Sequence, residues 1–246
     1  MSSSAHSRAE LARHTGYEFA STTVLFFCVV SLVRLLALPD SPLTITDPHL
    51  LLATAGAVVA LLLGALMYAP TGRASGGHFN PGVTLFLWAD GLFPGRAVLP
   101  YMTAQLAGSV SGAALARLVW GVAVSRIGYA VVSPAPGTGA VSLFLIEAAA
   151  LAGVLAAVAV VMSFPRLHGL IPGVIAVGVG AVIASLGTVT GASINPARDF
   201  GPALLSGQYA HFWTYMLAPL VAGLLVGLAH RALRTRRTST AAAPAV

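Results

Sequence analysis

The chain has 246 residues, 57% of them hydrophobic and only 8% charged, with a mean hydropathy of +0.87. Soluble domains carry about 25% charged residues, so this chain cannot cover a water-facing surface, and its composition assigns it to the membrane. The formal charge of +6 comes from 13 arginines against 7 acids, and outside the run RALRTRRTST the arginines stand singly, which excludes a nucleic-acid-binding face and suits a juxtamembrane anchor.

Residues 1–15 read as a short polar cytoplasmic tail without the apolar core of a signal peptide. A spanning helix needs about 20 mostly apolar residues. Six stretches qualify, at 17–38, 50–69, 98–120, 141–163, 169–189 and 211–233. The first opens YEFASTTVLFF with Glu18 and holds Cys28, the single cysteine, which can build neither a disulfide nor a thiolate metal site. After the second comes SGGHFNPGVT and an apolar segment at 81–91 that is too short to span. At about 1.5 Å per residue it covers roughly half of the hydrocarbon core, so a re-entrant half-helix is expected over 80–90. A connecting loop at 121–139 contains SPAPGTG, and the fourth span opens FLIEAAALAGV with Glu147. A second short segment, 196–207, follows TGASINPARDFGPAL and predicts another half-helix over 195–206. Residues 234–246 form a basic tail.

The chain repeats itself. Residues 16–120 and 140–233 each contain a Glu-bearing span, a second span, an Asn-Pro half-helix and a third span. Three spans per half is odd, so the halves insert with opposite orientation. Inverted repeats with broken helices place their working site near the midplane. With both termini cytoplasmic, the inner arginines are 8, 13, 73, 96, 166, 231, 234, 236 and 237, and the outer ones are Arg34, Arg117, Arg126 and Arg198. That asymmetry obeys the positive-inside rule. The fold class expected is an all-α integral membrane protein of six transmembrane helices plus two re-entrant half-helices in an inverted repeat.

Asn is a strong N-cap and Pro favours the first helical position. Asn80-Pro81 and Asn195-Pro196 therefore read as helix starts. Each Asn oxygen can cap its own helix, which leaves the amide hydrogens as two donors aimed away from it. Two half-helices entering from opposite faces bring their positive ends to one point, which welcomes a neutral molecule with an acceptor oxygen and repels cations. Arg198, three residues after Asn195, adds a permanent charge that suits a wet cavity. Glu18 and Glu147 sit just inside spans one and four and need donors, which the re-entrant loops supply as free backbone N–H groups. His78 is expected to tie its loop. No second His or Cys ligand lies nearby, so no metal is expected.

The motifs SGGHFNPGVT and TGASINPARDFGPAL, with Glu18 and Glu147, resemble the aquaporin, or major intrinsic protein, family over roughly residues 15–233. The resemblance implies a homotetramer in the cell membrane with one pore per subunit, no cofactor, and passive flux of water or small uncharged solutes. Its midplane residues would be Asn80, Pro81, Gly82, Asn195, Pro196 and Ala197. Gly82 departs from the family's usual Ala, which implies a slightly weaker helix and a wider constriction. The family's outer filter would fall on Ala60, Ile183, Ala192 and Arg198. An aliphatic filter of this kind resembles the nodulin-like intrinsic proteins and implies glycerol, urea and metalloid acids as solutes beside water. Asp199 resembles glycerol channels, whereas Ala203 resembles water channels; Tyr215 and Met216 match neither. A water-selective channel is the alternative. An intramembrane enzyme would need a nucleophile with a base or a metal cluster, and a coupled transporter would need an acid free to carry protons; neither is evident.

Overall fold

The computed structural model describes residues 7–241; residues 1–6 and 242–246, and side chains from 237 on, lie outside it, and with them part of both expected tails, including Arg237. Helix α1 (Arg8–Ala37) begins at Ser7, whose hydroxyl caps the Glu10 N–H at 3.1 Å while the Glu10 carboxylate takes the Ser7 N–H at 2.8 Å. This reciprocal box carries the helix through residues 8–15, which their polarity alone assigns to a tail. Helix α2 (Pro48–Tyr68) starts at the Asp47 cap with Pro48 in first position. A six-residue helix α3 (Pro70–Ser75), not expected from hydropathy, ends at Gly76 with φ +95°. The first half-helix is α4 (Pro81–Ala89) and the next span is α5 (Gly95–Trp120). After the short α6 (Ala123–Arg126) come α7 (Ala140–Met162) and α8 (Ile171–Thr190), the latter entered through a 3-10 turn at Pro165–Leu170. The second half-helix is α9 (Pro196–Ser206), and α10 (Phe212–Ala241) runs well past the expected end of the last span.

Among the described residues, five helical stretches are long and apolar enough to cross a membrane: Arg8–Ala37, Pro48–Tyr68, Ala140–Met162, Pro165–Thr190 and Phe212–Arg236. Helix α5 is the sixth expected span. Its 26 residues reach about 39 Å, but its buried face carries Gln105, Ser109, Gly108 and Gly112 and so lowers its apolarity.

Helix α1 packs on α5 and α7 on α10; α5 holds the half-helix α9, and α10 holds α4. Each half thus carries the other half's re-entrant helix, as an inverted repeat requires. Small residues allow these close approaches in lipid, where packing rather than water drives association. A methyl on Gly108 would lie 2.7 Å from the Phe19 carbonyl, and one on Gly227 2.8 Å from the Ala89 Cβ. Helices α2 and α8 meet along Gly56, Ala60 and Gly64 on one side and Ala176 and Gly180 on the other.

Candidate functional site

Both Asn-Pro pairs begin helices, and their first turns converge. The Asn80 Oδ1 accepts the Gly82 N–H at 2.8 Å, and the Asn195 Oδ1 accepts the Ala197 N–H at 2.9 Å. Each amide also crosses to the other half. Asn80 Nδ2 donates to the Ile194 carbonyl and Asn195 Nδ2 to the Phe79 carbonyl, both at 3.0 Å. The two boxes are therefore locked reciprocally. This lock consumes one of the two amide hydrogens expected to be free on each Asn, leaving one apiece for the cavity that both residues line.

The two glutamates hold the loops that present these residues. The Glu18 carboxylate accepts the Phe79 N–H at 2.8 Å and the His78 N–H at 3.0 Å, and takes further donors from Ser75 Oγ at 2.7 Å and Gln105 Nε2 at 2.8 Å. Glu147 accepts the Ile194 N–H at 2.6 Å and the Ser193 N–H at 3.2 Å, together with the Thr190 hydroxyl. Both carboxylates are almost fully buried. An isolated charge there would be prohibitive, and these donors make it tolerable. His78 is buried, with Nδ1 3.0 Å from Thr84 Oγ1 and its ring against Phe93 and Tyr101.

Several members of this scaffold escaped the sequence reading. Ser75 and Thr190 each stand five residues before their Asn and each give a hydroxyl to their glutamate. The Tyr101 hydroxyl donates to the Ser75 carbonyl at 2.9 Å, and the Tyr215 hydroxyl to the Thr190 carbonyl at 2.6 Å. The shared offset from the two Asn residues was the signal that could have found the hydroxyl pair.

A cavity of about 380 Å³ runs along these groups. Its wall is largely apolar, with Phe26, Val59, Leu151, Val179 and Ile183 among its residues, and its polar points are His78, Asn80, Ser133, Ser193, Asn195 and Arg198. Arg198 is anchored by donating from Nη1 to the Ala130 carbonyl at 2.6 Å. That carbonyl is aimed by three consecutive left-handed residues, Gly128, Tyr129 and Ala130, at φ +54°, +55° and +62°. Asp199, also buried, accepts the Val132 N–H and so ties the same segment to α9.

Of the four expected filter residues, Ile183, Ala192 and Arg198 line the cavity and Ala60 does not. A methyl on Gly180 would lie 2.9 Å from the Ala60 Cβ, so Ala60 belongs to the contact with α8. Val59, one residue earlier, faces the cavity, as do Ala55 and Leu63 on the same stripe of α2. Gly82 also differs from expectation. A methyl there would meet Leu151 Cδ2 and the Pro219 carbonyl, each at 2.8 Å, so the missing group would point at α7 and α10.

The sequence matches the Major intrinsic protein family over residues 5–230. A probable aquaporin AqpM of Archaeoglobus fulgidus is 38% identical over 176 residues, covering 68% of this chain and 70% of that one. The probable aquaporin TIP2-2 of Oryza sativa subsp. japonica is 36% identical over 224 residues, 87% of this chain and 84% of its own. Aquaporin NIP3-1 of Arabidopsis thaliana is 31% identical over 227 residues, 90% of this chain and 68% of its own. In fold, the X-ray structure of the aquaglyceroporin from Plasmodium falciparum matches with a TM-score of 0.73 over 94% of this chain and 99% of that one, at 21% identity.

Proposed function

Since the chain belongs to the major intrinsic protein family, the family of the aquaporins, we propose that it forms a passive transmembrane channel for water and small uncharged solutes that excludes protons and ions. The observation that carries this reading is the reciprocal lock of Asn80 and Asn195 inside a cavity with largely apolar walls. Two rigid donors and two helix N-termini meet at one level of that cavity. A molecule arriving there meets the remaining amide hydrogens of Asn80 and Asn195. A water oxygen that accepts from both amides turns its own hydrogens away from them, which interrupts a chain of like-oriented waters. A cation meets the positive ends of α4 and α9, and Arg198 beyond them.

The solute range follows from the wall. We assign the filter to Val59, Ile183, Ala192 and Arg198. It has one charged donor and three apolar faces, which suits molecules with a polar edge and an apolar back: glycerol, urea and uncharged metalloid acids, beside water. A water-selective channel is the second reading. It is favoured by one observation: at the expected filter position of α2 the cavity is lined by Val59 rather than by the smaller Ala60, which narrows the aperture. The expected arrangement is a homotetramer in the cell membrane with both termini cytoplasmic, in keeping with the arginine asymmetry.

The test is glycerol and water flux measured on one proteoliposome preparation. Wild type should pass both. The pair V59F and I183H should cut glycerol flux and spare water flux. Glycerol flux unchanged in that variant would show that the filter lies elsewhere.

A further inference from the structure

We propose that Leu151 sets the bore of the pore at the first Asn-Pro box and that Gly82 is its seat, an inference that rests on the channel reading above. The two halves build this level differently. In the second box the third residue is Ala197, and the span carrying Glu18 has Thr22 four positions later. In the first box the third residue is Gly82, and the span carrying Glu147 has Leu151 four positions later. At matching positions in the sequence, one half carries Ala with Thr and the other Gly with Leu, the smaller residue on the half-helix going with the larger one on the span.

The geometry shows why the exchange must be made as a pair. A methyl at Gly82 would fall 2.8 Å from Leu151 Cδ2, a separation at which one of the two has to move. Of its other neighbours, the Pro219 carbonyl at 2.8 Å belongs to the backbone of α10 and yields less readily, and Asn80 Oδ1 lies at 3.2 Å, held as the cap of α4. Leu151 is the softer contact, and it borders the cavity together with Asn80, Val83 and Asn195. Displaced, it would move into the pore. Thr22, its counterpart, is fully buried and does not border the cavity. Beside the amide donors, the first half therefore presents an aliphatic face that offers no hydrogen bond and limits width. Leu151 is in this sense a size-determining residue, and Gly82 is a positioning residue that acts through it.

A double-mutant cycle of G82A, L151T and the pair tests this, read by Tm and by the glycerol-to-water flux ratio. G82A alone should lower Tm by roughly 5 °C, as overpacking does, and lose most of the water flux. L151T alone should raise the glycerol-to-water ratio above wild type. The pair should regain part of the Tm lost in G82A, only part because the Pro219 carbonyl remains. Strict additivity of the Tm changes would overturn the seating, and an unchanged flux ratio in L151T would overturn the bore assignment. No flux of either solute through folded wild-type protein would sink the channel reading and the bore with it, while the Tm cycle would still report on the seating.

Discussion

Asn195 shows how much one side chain decides. Its oxygen caps α9, and its amide donates to the Phe79 carbonyl at 3.0 Å. Asn195→Asp replaces that donor with a second oxygen, which faces the carbonyl unfavourably and places a negative charge where two helix N-termini converge. The variant should admit cations, seen as proton leak in vesicles loaded with a pH-sensitive dye. Normal water flux with intact proton exclusion would contradict the role given to the box. Arg198→Val removes the permanent charge and strands the Ala130 carbonyl that Arg198 now occupies. It should raise the passage of larger solutes relative to water; an unchanged solute ranking would count against Arg198 as a filter residue. Asn80, Asn195, Glu18 and Glu147 were legible in the sequence because residue type and repeated context suffice to mark a polar group in an apolar chain. That Val59 rather than Ala60 lines the cavity was not, because the register depends on how α2 meets α8. The clue was present all the same: Gly56, Ala60 and Gly64 form a stripe of small residues, and such a stripe marks a helix contact rather than a pore wall.

The re-entrant loops are elements without regular structure, and they stand only because the spans satisfy their backbone. Glu147 takes the Ser193 and Ile194 N–H groups, as Glu18 takes those of His78 and Phe79. Glu147→Gln turns one acceptor into a donor facing an N–H. Leaving one buried group unpaired costs about 1–3 kcal/mol. In a chain of this size that lowers Tm by roughly 3–10 °C. A thermal scan of detergent-solubilised protein checks this, and an unchanged Tm would mean that the loop is held by other contacts. The half-helices were readable from caps and length. Helix α3 was not, since six residues leave no periodicity to detect. The early start of α1 was written in the capping box of Ser7 and Glu10 but hidden by the polarity of the turns that follow. Helix α5 passes for a span by length, while the groups that dilute its apolar character, Gln105 and Ser109, are the ones it uses inside: Gln105 Nε2 reaches Glu18, and Ser109 Oγ donates to the Ala197 carbonyl.

The inverted repeat organises the whole molecule. It was legible because the Glu, the Asn-Pro pair and the following half-helix recur in the same order. The structure extends the correspondence to atoms, with Ser75 matching Thr190 and Tyr101 matching Tyr215. The place where the repeat is imperfect, Gly82 with Leu151 against Ala197 with Thr22, is where residue types alone misled, since a missing methyl says nothing about the direction in which it would have pointed. The proposed function belongs to this scale, since a pore that passes water and stops protons would need both opposed half-helices. The most direct measurement is stopped-flow light scattering of proteoliposomes under an osmotic gradient, with a pH-sensitive dye inside the same vesicles. Shrinkage should be much faster than in protein-free vesicles, with no added proton flux. Shrinkage no faster than in empty vesicles from folded protein, or rapid water flux with protons following, would contradict it.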